Sequence, residues 1–319
     1  PILLKTCNHS CVYCQLGRTR RPAFRRRRFF NSTAVVSEVS DALDRLDEGA
    51  VDWITFVGSG ETTLARNLGS MIRGVKVASH IPVAVITNGS LLDQPEVREE
   101  LSAADAVLPS LDAGSADLFR RVNRPHRDLS FDGHVRGLVD FRRSFRGRLW
   151  VEIMLLGGVN DTPEALHDIA SVLQRVEPDE IHLVTPTRPP AEAWVVPPTP
   201  EGLRRADFIL GRVARVLRPV PVVGGSMTGE KAVSAILAII ARHPLQETEL
   251  TGILEQWVPD RVDQTRALLE ESGKAQTIER HGTRFWCAAG LDYPETEEET
   301  PTGEPIEKKN ADVTGGDLK

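Results

Sequence analysis

Three cysteines within eight residues, Cys7, Cys11 and Cys14, constrain this chain more than any other feature. Their spacing is C-x3-C-x2-C. A thiolate is a soft ligand, suited to iron–sulfur clusters, zinc and copper(I), and one short loop carrying three of them wraps one face of a metal centre. A structural zinc site has four ligands, so zinc would need His9 as the fourth. A disulfide would leave one cysteine over. On a cubane [4Fe–4S] cluster, three thiolates leave one iron open to a substrate or cofactor.

The run Cys7-Asn-His-Ser-Cys11-Val-Tyr13-Cys14 resembles the signature of the radical S-adenosylmethionine (radical SAM) superfamily, C-x3-C-x-aromatic-C, with Tyr13 in the aromatic place. The resemblance implies a [4Fe–4S] cluster on the three cysteines, with its open iron chelated by the amino and carboxylate groups of S-adenosylmethionine (SAM). It further implies reductive cleavage of SAM to a 5′-deoxyadenosyl radical, which abstracts hydrogen from an unknown substrate, and an electron donor such as flavodoxin or ferredoxin. The fold it implies is an α/β partial (β/α)6 barrel. The rival reading from another class is an Fe–S-sensing, DNA-binding regulator.

The chain of 319 residues has room for one large domain and one small one. No apolar run reaches membrane-spanning length, no secretory signal is present, and four cysteines fit a reducing compartment. These features predict a cytoplasmic protein. Only Pro1-Ile-Leu-Leu precedes the cysteine loop. Family members place a barrel strand there, so either the strand is shortened or an N-terminal segment is missing from this sequence, and the second is expected. Between Asp292 and Lys319 lie nine acidic residues and three lysines, so the whole net charge of -6 sits in that stretch. It has almost no large apolar residues and reads as a disordered tail over 291–319.

After the cysteines comes a basic run, Arg18 to Arg28, with seven arginines. It reads either as a solvated connection or as a phosphate or nucleic-acid contact. Ser32-Thr33 open an amphipathic helix to Leu46. Asp52 to Val57 is a β-rich run ending in Gly58-Ser59-Gly60-Glu61, where a glycine pair lets the backbone approach a ligand. The segment resembles the family's G-G-E turn, which holds the SAM amino group; Ser59 departs from the pattern and Glu61 keeps it.

Strand-then-helix units follow. Strands are predicted at Ile81–Ile86, Ala106–Leu111, Leu149–Leu156 and Glu180–Val184, and helices at Glu96–Leu101 and from Thr162-Pro163. Apolar strands alternating with helices indicate a parallel sheet buried on both faces. Polar residues cluster at the strand C-termini, the rim where α/β barrels build their sites. Glu61, Asn88, Ser110, Asp112, Asn160 and Arg188 are therefore expected over one opening. Cys14-Gln-Leu-Gly-Arg-Thr, Phe56-Val-Gly-Ser-Gly-Glu, Thr87-Asn-Gly-Ser, Leu108-Pro-Ser-Leu-Asp, Asn123-Arg-Pro-His and Thr187-Arg-Pro-Pro resemble one radical SAM subgroup related to the wyosine-synthesis enzymes, which rebuild a guanine in tRNA. Those enzymes carry further cysteines for a second cluster, and only Cys287 is available here. On the resemblance, Cys7, Cys11 and Cys14 bind metal and Gly58, Ser59, Gly60 and Glu61 hold the methionine end of SAM. Thr87, Asn88, Ser110 and Asp112 are expected at its carboxylate and ribose, and Met154 and Asn160 on the adenine side. Tyr13 completes the cofactor set.

Pro197-Pro-Thr-Pro200 reads as a boundary, Glu201–Leu217 as a helix, and Pro219–Gly225 as a linker or short strand. A helix from Lys231 to Arg242, a second capped by Thr248, a third over Asp260–Glu271 and a hairpin of Lys274–Ile278 with Thr283–Ala288 follow the order of a winged helix. Its core is expected to use Leu250, Leu254, Leu268, Leu269 and Trp286, with Cys287 a small core residue. The division predicted is 1–222 barrel, 226–290 winged helix-like domain, 291–319 tail. The third helix offers Arg261, Gln264, Arg266 and Lys274 to DNA, diluted by Asp260, Asp263, Glu270 and Glu271. The module is expected to dock a substrate or partner, RNA or protein, rather than to read DNA, and the substrate is open among RNA, peptide and small molecule.

Overall fold

The computed structural model describes residues 5–47, 49–211, 214–216 and 229–295, with backbone only at 214–216, 229 and 230. The strand expected before the cysteine loop, the 219–225 linker and the tail beyond 295 lie outside the described residues.

Six parallel strands form one sheet in chain order: β1 (Ile54–Phe56), β2 (Val83–Thr87), β3 (Ala106–Pro109), β4 (Arg148–Met154), β5 (Glu180–Val184) and β6 (Ala214–Val216). Every neighbouring pair is parallel. Neighbours that are also consecutive require helical crossovers, supplied by α2 (Leu68–Ala78), α3 (Pro95–Leu101), α4 (Ala116–Asn123), α5 (Phe131–Ser144), α6 (Pro163–Val176) and α7 (Pro200–Leu210), with α1 (Ser32–Leu43) before β1. Among the described residues β1 and β6 are the edges of the sheet, an order consistent with a partial barrel.

Alternation on β4 shows how the layers are built. Leu149, Val151 and Ile153 are fully buried against the helices, while Trp150, Glu152 and Met154 face the other way and are half-buried. The outer core joins them to Met71, Ile72, Leu138, Phe141, Leu166 and Ile169. Short polar caps set the helix starts: Ser115, Ser130, Thr162 and Thr199 each accept a backbone N–H of the first turn.

Several expectations need correction. Asn31 caps α1 rather than Ser32-Thr33, accepting from the N–H groups of Thr33 and Ala34 at 2.8 and 3.2 Å. The helix predicted over Glu201–Leu217 stops at Leu210. Gly211 takes a φ of 91° there and 214–216 becomes the sixth strand. The periodicity ran on because three-residue β6 is too short to show alternation.

A second core lies further along. Helix α8 (Gly229–Ile240), strand β7 (Leu245–Gln246), α9 (Glu247–Trp257), α10 (Val262–Glu271) and the hairpin β8 (Ala275–Arg280)–β9 (Thr283–Ala288) follow, with antiparallel order β7-β9-β8. Ile236, Ile240, Leu250, Leu254, Leu269 and Trp286 are buried together. Leu268, expected among them, is 40% exposed. Gln246, not Thr248, caps α9, in a capping box with Glu249.

These elements sit on the cysteine loop. Gln15 Nε2 donates to Arg242 O at 2.9 Å, Tyr293 Oη donates to Gln15 O at 2.5 Å, and Arg18 N donates to Asp292 O at 2.7 Å. Arg20 pairs with Asp292 at 2.9 Å. Disorder from 291 onward therefore does not hold for 291–295: the Arg20–Asp292 ion pair and the backbone acceptors Leu291 O, Asp292 O and Pro294 O anchor that stretch.

One glycine tests the crossover packing. A Cβ on Gly114, in the β3–α4 turn, would lie closer than 3.0 Å to the backbone of Asp168 and Ile169 in α6. Backbone does not yield as a side chain does, so Gly114→Ala is expected to cost about 1–3 kcal/mol, read as a lower urea midpoint. An unchanged midpoint would show that α6 packs elsewhere.

Candidate metal and cofactor site

The cysteine loop is stitched to the end of α4. Ser10 N donates to Asn123 O and Arg124 O at 3.1 Å, Val12 N to Val122 O at 2.9 Å, and His126 N to Asn8 O at 2.7 Å. Arg124 takes a left-handed φ of 44° as it ends α4. Val12, wholly buried, packs with Val122, Leu156 and Val195. The loop cannot shift without unseating that helix end.

Each thiol receives an N–H from a different part of the chain. Lys5 Nζ lies 2.9 Å from Cys14 Sγ. Asn88 Nδ2 lies 3.8 Å from Cys7 Sγ, and His9 N lies 3.4 Å from the same sulfur. Asn123 Nδ2 lies 3.7 Å from Cys11 Sγ. Asn88 is steadied by Asn8, whose Oδ1 accepts its amide at 2.7 Å while Asn8 Nδ2 donates to Ser90 Oγ at 2.8 Å. Asn8, Asn123 and Lys5 were not predicted as site residues. For Asn8 and Asn123 the signal was present, since one lies inside the cysteine motif and the other opens Asn123-Arg-Pro-His.

Glu61 is almost wholly buried. Its carboxylate accepts from Thr63 N (2.8 Å), Thr63 Oγ1 (2.5 Å), Thr87 Oγ1 (2.6 Å) and Asn88 N (2.7 Å). Its own N–H donates to Thr6 O at 2.9 Å, and Lys5 N donates to Ser59 O at 2.6 Å. The carboxylate thus pins the ends of β1 and β2 together and fixes the Gly58–Gly60 turn against the cysteine loop. Neither Gly58 nor Gly60 has a positive φ.

Asp112 does the same on the other side. Its Oδ2 accepts from Tyr13 Oη and Asn123 Nδ2, both at 2.6 Å, and Oδ1 from Met154 N at 2.9 Å. Burial pushes its carboxyl up from the usual range, and those three donors oppose the shift. Asn160 is used up in the backbone: Nδ2 donates to Asp112 O (2.9 Å) and Met154 O (2.8 Å), and Oδ1 accepts from Leu156 N (2.7 Å). Met154, Tyr13 and Cys14 line a cleft of about 280 Å³ with Thr185, Pro186, Thr187 and Arg188. The Ser110 hydroxyl makes no hydrogen bond within the described residues.

Three thiols form a soft donor set of the kind that suits an iron–sulfur cluster. Among the described residues no three His, Cys, Asp or Glu side chains converge as one ion would require. His9, the fourth ligand that zinc would need, buries both ring nitrogens without partners, its ring edge-on to Phe119 at 5.5 Å. Burial holds it neutral, its pKa down to about 3. Burial also raises the Cys7 thiol to about 12 and the Cys11 thiol well above its ordinary value. Thiols so placed ionise when a metal takes the proton's place.

Three of the seven arginines in the basic run, Arg18, Arg20 and Arg26, are committed to carboxylates. Arg18 holds Glu192 at 2.6 and 2.7 Å, Arg124 adds a second guanidinium to Glu192, and Arg26 pairs with Glu100 at 2.7 Å. Arg188, expected at the rim, lines the cleft and pairs with Glu249 of α9. Cys287 is fully buried on β9.

One further acid was missed. Glu152 points from β4 into the barrel, where burial, and then the charge of Asp112, push its carboxyl up to about 7. Nothing in the sequence separates it from any polar residue on a half-buried strand.

The Radical SAM superfamily profile matches residues 2–170. The chain is 32% identical over 256 residues to a UPF0026 protein of Methanocaldococcus jannaschii, covering 79% of each. It is 35% identical over 275 residues to a protein of Brachyspira hyodysenteriae named GTPase Obg, covering 85% of this chain but 40% of that protein, so it spans well under half of its length. The solved structure of a radical SAM methyltransferase from Sphaerobacter thermophilus is similar with a TM-score of 0.51 at 21% identity, over 66% of this chain and 63% of that one, a likeness of fold.

Glu152 yields a pH test. Its folded carboxyl titrates near 7 against 4.5 unfolded, so the folded state holds the proton more tightly. Destabilisation therefore sets in as pH rises through 4.5 and is complete above 7. Glu152→Gln is expected to be the more stable protein at pH 8, by on the order of 2 kcal/mol, with the gap closing towards pH 4.5. Parallel pH–stability curves would contradict this.

Proposed function

The chain belongs to the radical SAM superfamily, and from that premise we propose that Cys7, Cys11 and Cys14 hold a [4Fe–4S] cluster beside bound SAM. When bound and reduced, the cluster supplies the electron that cleaves SAM and yields a 5′-deoxyadenosyl radical. The observation that carries the reading is the separate N–H donor at each sulfur. Such donors stabilise thiolate charge, and three independent ones hold a spread ligand set rather than a tight single-ion cage.

The remaining residues divide by whether their polar atoms are free. The Glu61 and Asp112 carboxylates and the Asn160 amide are saturated by the protein, so we assign them positioning roles. The SAM amino group then falls to backbone carbonyls of the Gly58–Gly60 turn that Glu61 fixes. Thr87 and Asn88 are likewise engaged, and act by fixing Glu61 and Cys7. Ser110, with its free hydroxyl, is the contact for the SAM carboxylate or ribose. Met154 and the Tyr13 ring form the wall for the adenine side, and the Leu156 N–H is held back by Asn160.

We divide the chain into the barrel (1–222), a winged helix-like module (226–290) and the stretch after it. The module's order of three helices and a hairpin supports this, as does its own core. Its docking role follows from its seat on the cysteine loop beside the cleft, with RNA or protein as the class docked and flavodoxin or ferredoxin as the electron source. The DNA-reading alternative gains nothing: Arg266, its central cation, is tied to Glu247, Asp263 and Thr251. Among the described residues no helix is long and apolar enough to cross a membrane.

Anaerobic reconstitution is expected to load about four irons per chain and to give 5′-deoxyadenosine with SAM and dithionite. Cys11→Ala should lose both. Zinc as the sole metal, or iron without SAM cleavage, would overturn the assignment.

A further inference from the structure

We propose that Glu152 binds a positively charged, nitrogen-bearing group of the substrate at the floor of the barrel, beneath the cleft lined by Cys14 and Met154. The proposal rests on the radical SAM reading above and adds the chemistry of what enters.

The position follows from strand geometry. Side chains two apart on a strand share a face and lie about 7 Å apart. Met154 lines the cleft, so Glu152 lies one step deeper on the same face. Its register neighbours are Ser110 towards β3 and His182 on β5. The Trp150 ring lies one step deeper again, with Trp53 edge-on at 5.3 Å and His182 at 5.6 Å.

The fully buried acids of the barrel, unlike half-buried Glu152, are all satisfied. Glu61 takes four donors, Asp112 three, Glu192 two guanidinium groups, and Asp161 the Gly158 N–H at 2.7 Å. The Glu152 carboxylate, among the described residues, has no hydrogen bond and no ion pair. Beside it, Ser110 has a free hydroxyl, and His182 spends one nitrogen on Glu180 at 3.2 Å while Nδ1 is buried without a partner. An uncompensated carboxylate in a recess is costly to keep. A ligand ammonium or guanidinium supplies both the missing donors and the missing charge, and aromatic walls favour it further. A hydroxyl would satisfy a lone pair but leave the charge uncompensated. The raised titration of Glu152 agrees with an acid whose counter-charge comes from outside.

The test uses the full chain, reconstituted anaerobically and saturated with SAM, with cadaverine and agmatine as probes and 1,5-pentanediol and glutarate as neutral and anionic controls. Calorimetric titration at pH 8 should show binding of a diamine or agmatine and none of the controls. Glu152→Gln should weaken it at least tenfold, and Glu152→Asp, which keeps the charge, should retain part of it. The proposal is overturned if wild type binds neither amine, if the diol binds as well as the diamine, or if Glu152→Gln binds the amines as wild type does. A tenfold loss of SAM affinity in Glu152→Gln also overturns it, by placing Glu152 on the cofactor. Failure of wild type to load iron or cleave SAM is read beforehand and counts against the family reading instead.

Discussion

Three thiols on one buried loop must be held apart and facing one way, and the structure meets that demand with three unrelated N–H donors. Lys5 comes from just before the loop, Asn88 from the end of β2, and Asn123 from the end of α4. Because the two asparagines belong to the rim, the loop takes its shape from the barrel. The αL turn at Arg124 and the backbone bonds from Ser10, Val12 and His126 fix that relation.

The buried carboxylates extend the same logic outward. Glu61 ties the first two strand ends to the glycine turn, and Asp112 ties Tyr13, Asn123 and the end of β4. Glu61 takes four donors and Asp112 three, so each charge is met by the protein itself. Loss of either would leave several donors unpaired at once, which is why a rim so rich in polar groups stays rigid. Asp292 and Tyr293 press on the loop from the other side, where Gly17 at a φ of 72° leaves no room for a Cβ beside the Asp292 backbone.

Much of this was legible in the sequence. The cysteine spacing, the strand ends and the Thr162-Pro163 start need only local rules, and β5 runs from Glu180 to Val184 as periodicity predicts. Of the strand-end residues Glu61, Asn88, Ser110, Asp112, Asn160 and Arg188 expected over one opening, Glu61 bonds to Asn88 and Asn160 to Asp112. Their roles were not legible, because whether a carboxylate is free or saturated depends on partners dozens of residues away: Thr87 for Glu61, Asn123 for Asp112. Strand β6 was hidden by its three-residue length, and the contact of Asp292 with Arg20 by a composition that reads as unstructured. Glu152 escaped because its distinction is a missing partner, which no motif records.

The central claim is that three cysteines leave one iron for SAM. It is tested most directly by electron paramagnetic resonance of the dithionite-reduced protein, recorded with and without SAM. The account predicts a [4Fe–4S]⁺ signal whose g-values shift when SAM is added and do not shift with 5′-deoxyadenosine, which lacks the amino and carboxylate groups. A cluster signal indifferent to SAM, or no cluster signal from iron-loaded protein, would contradict it.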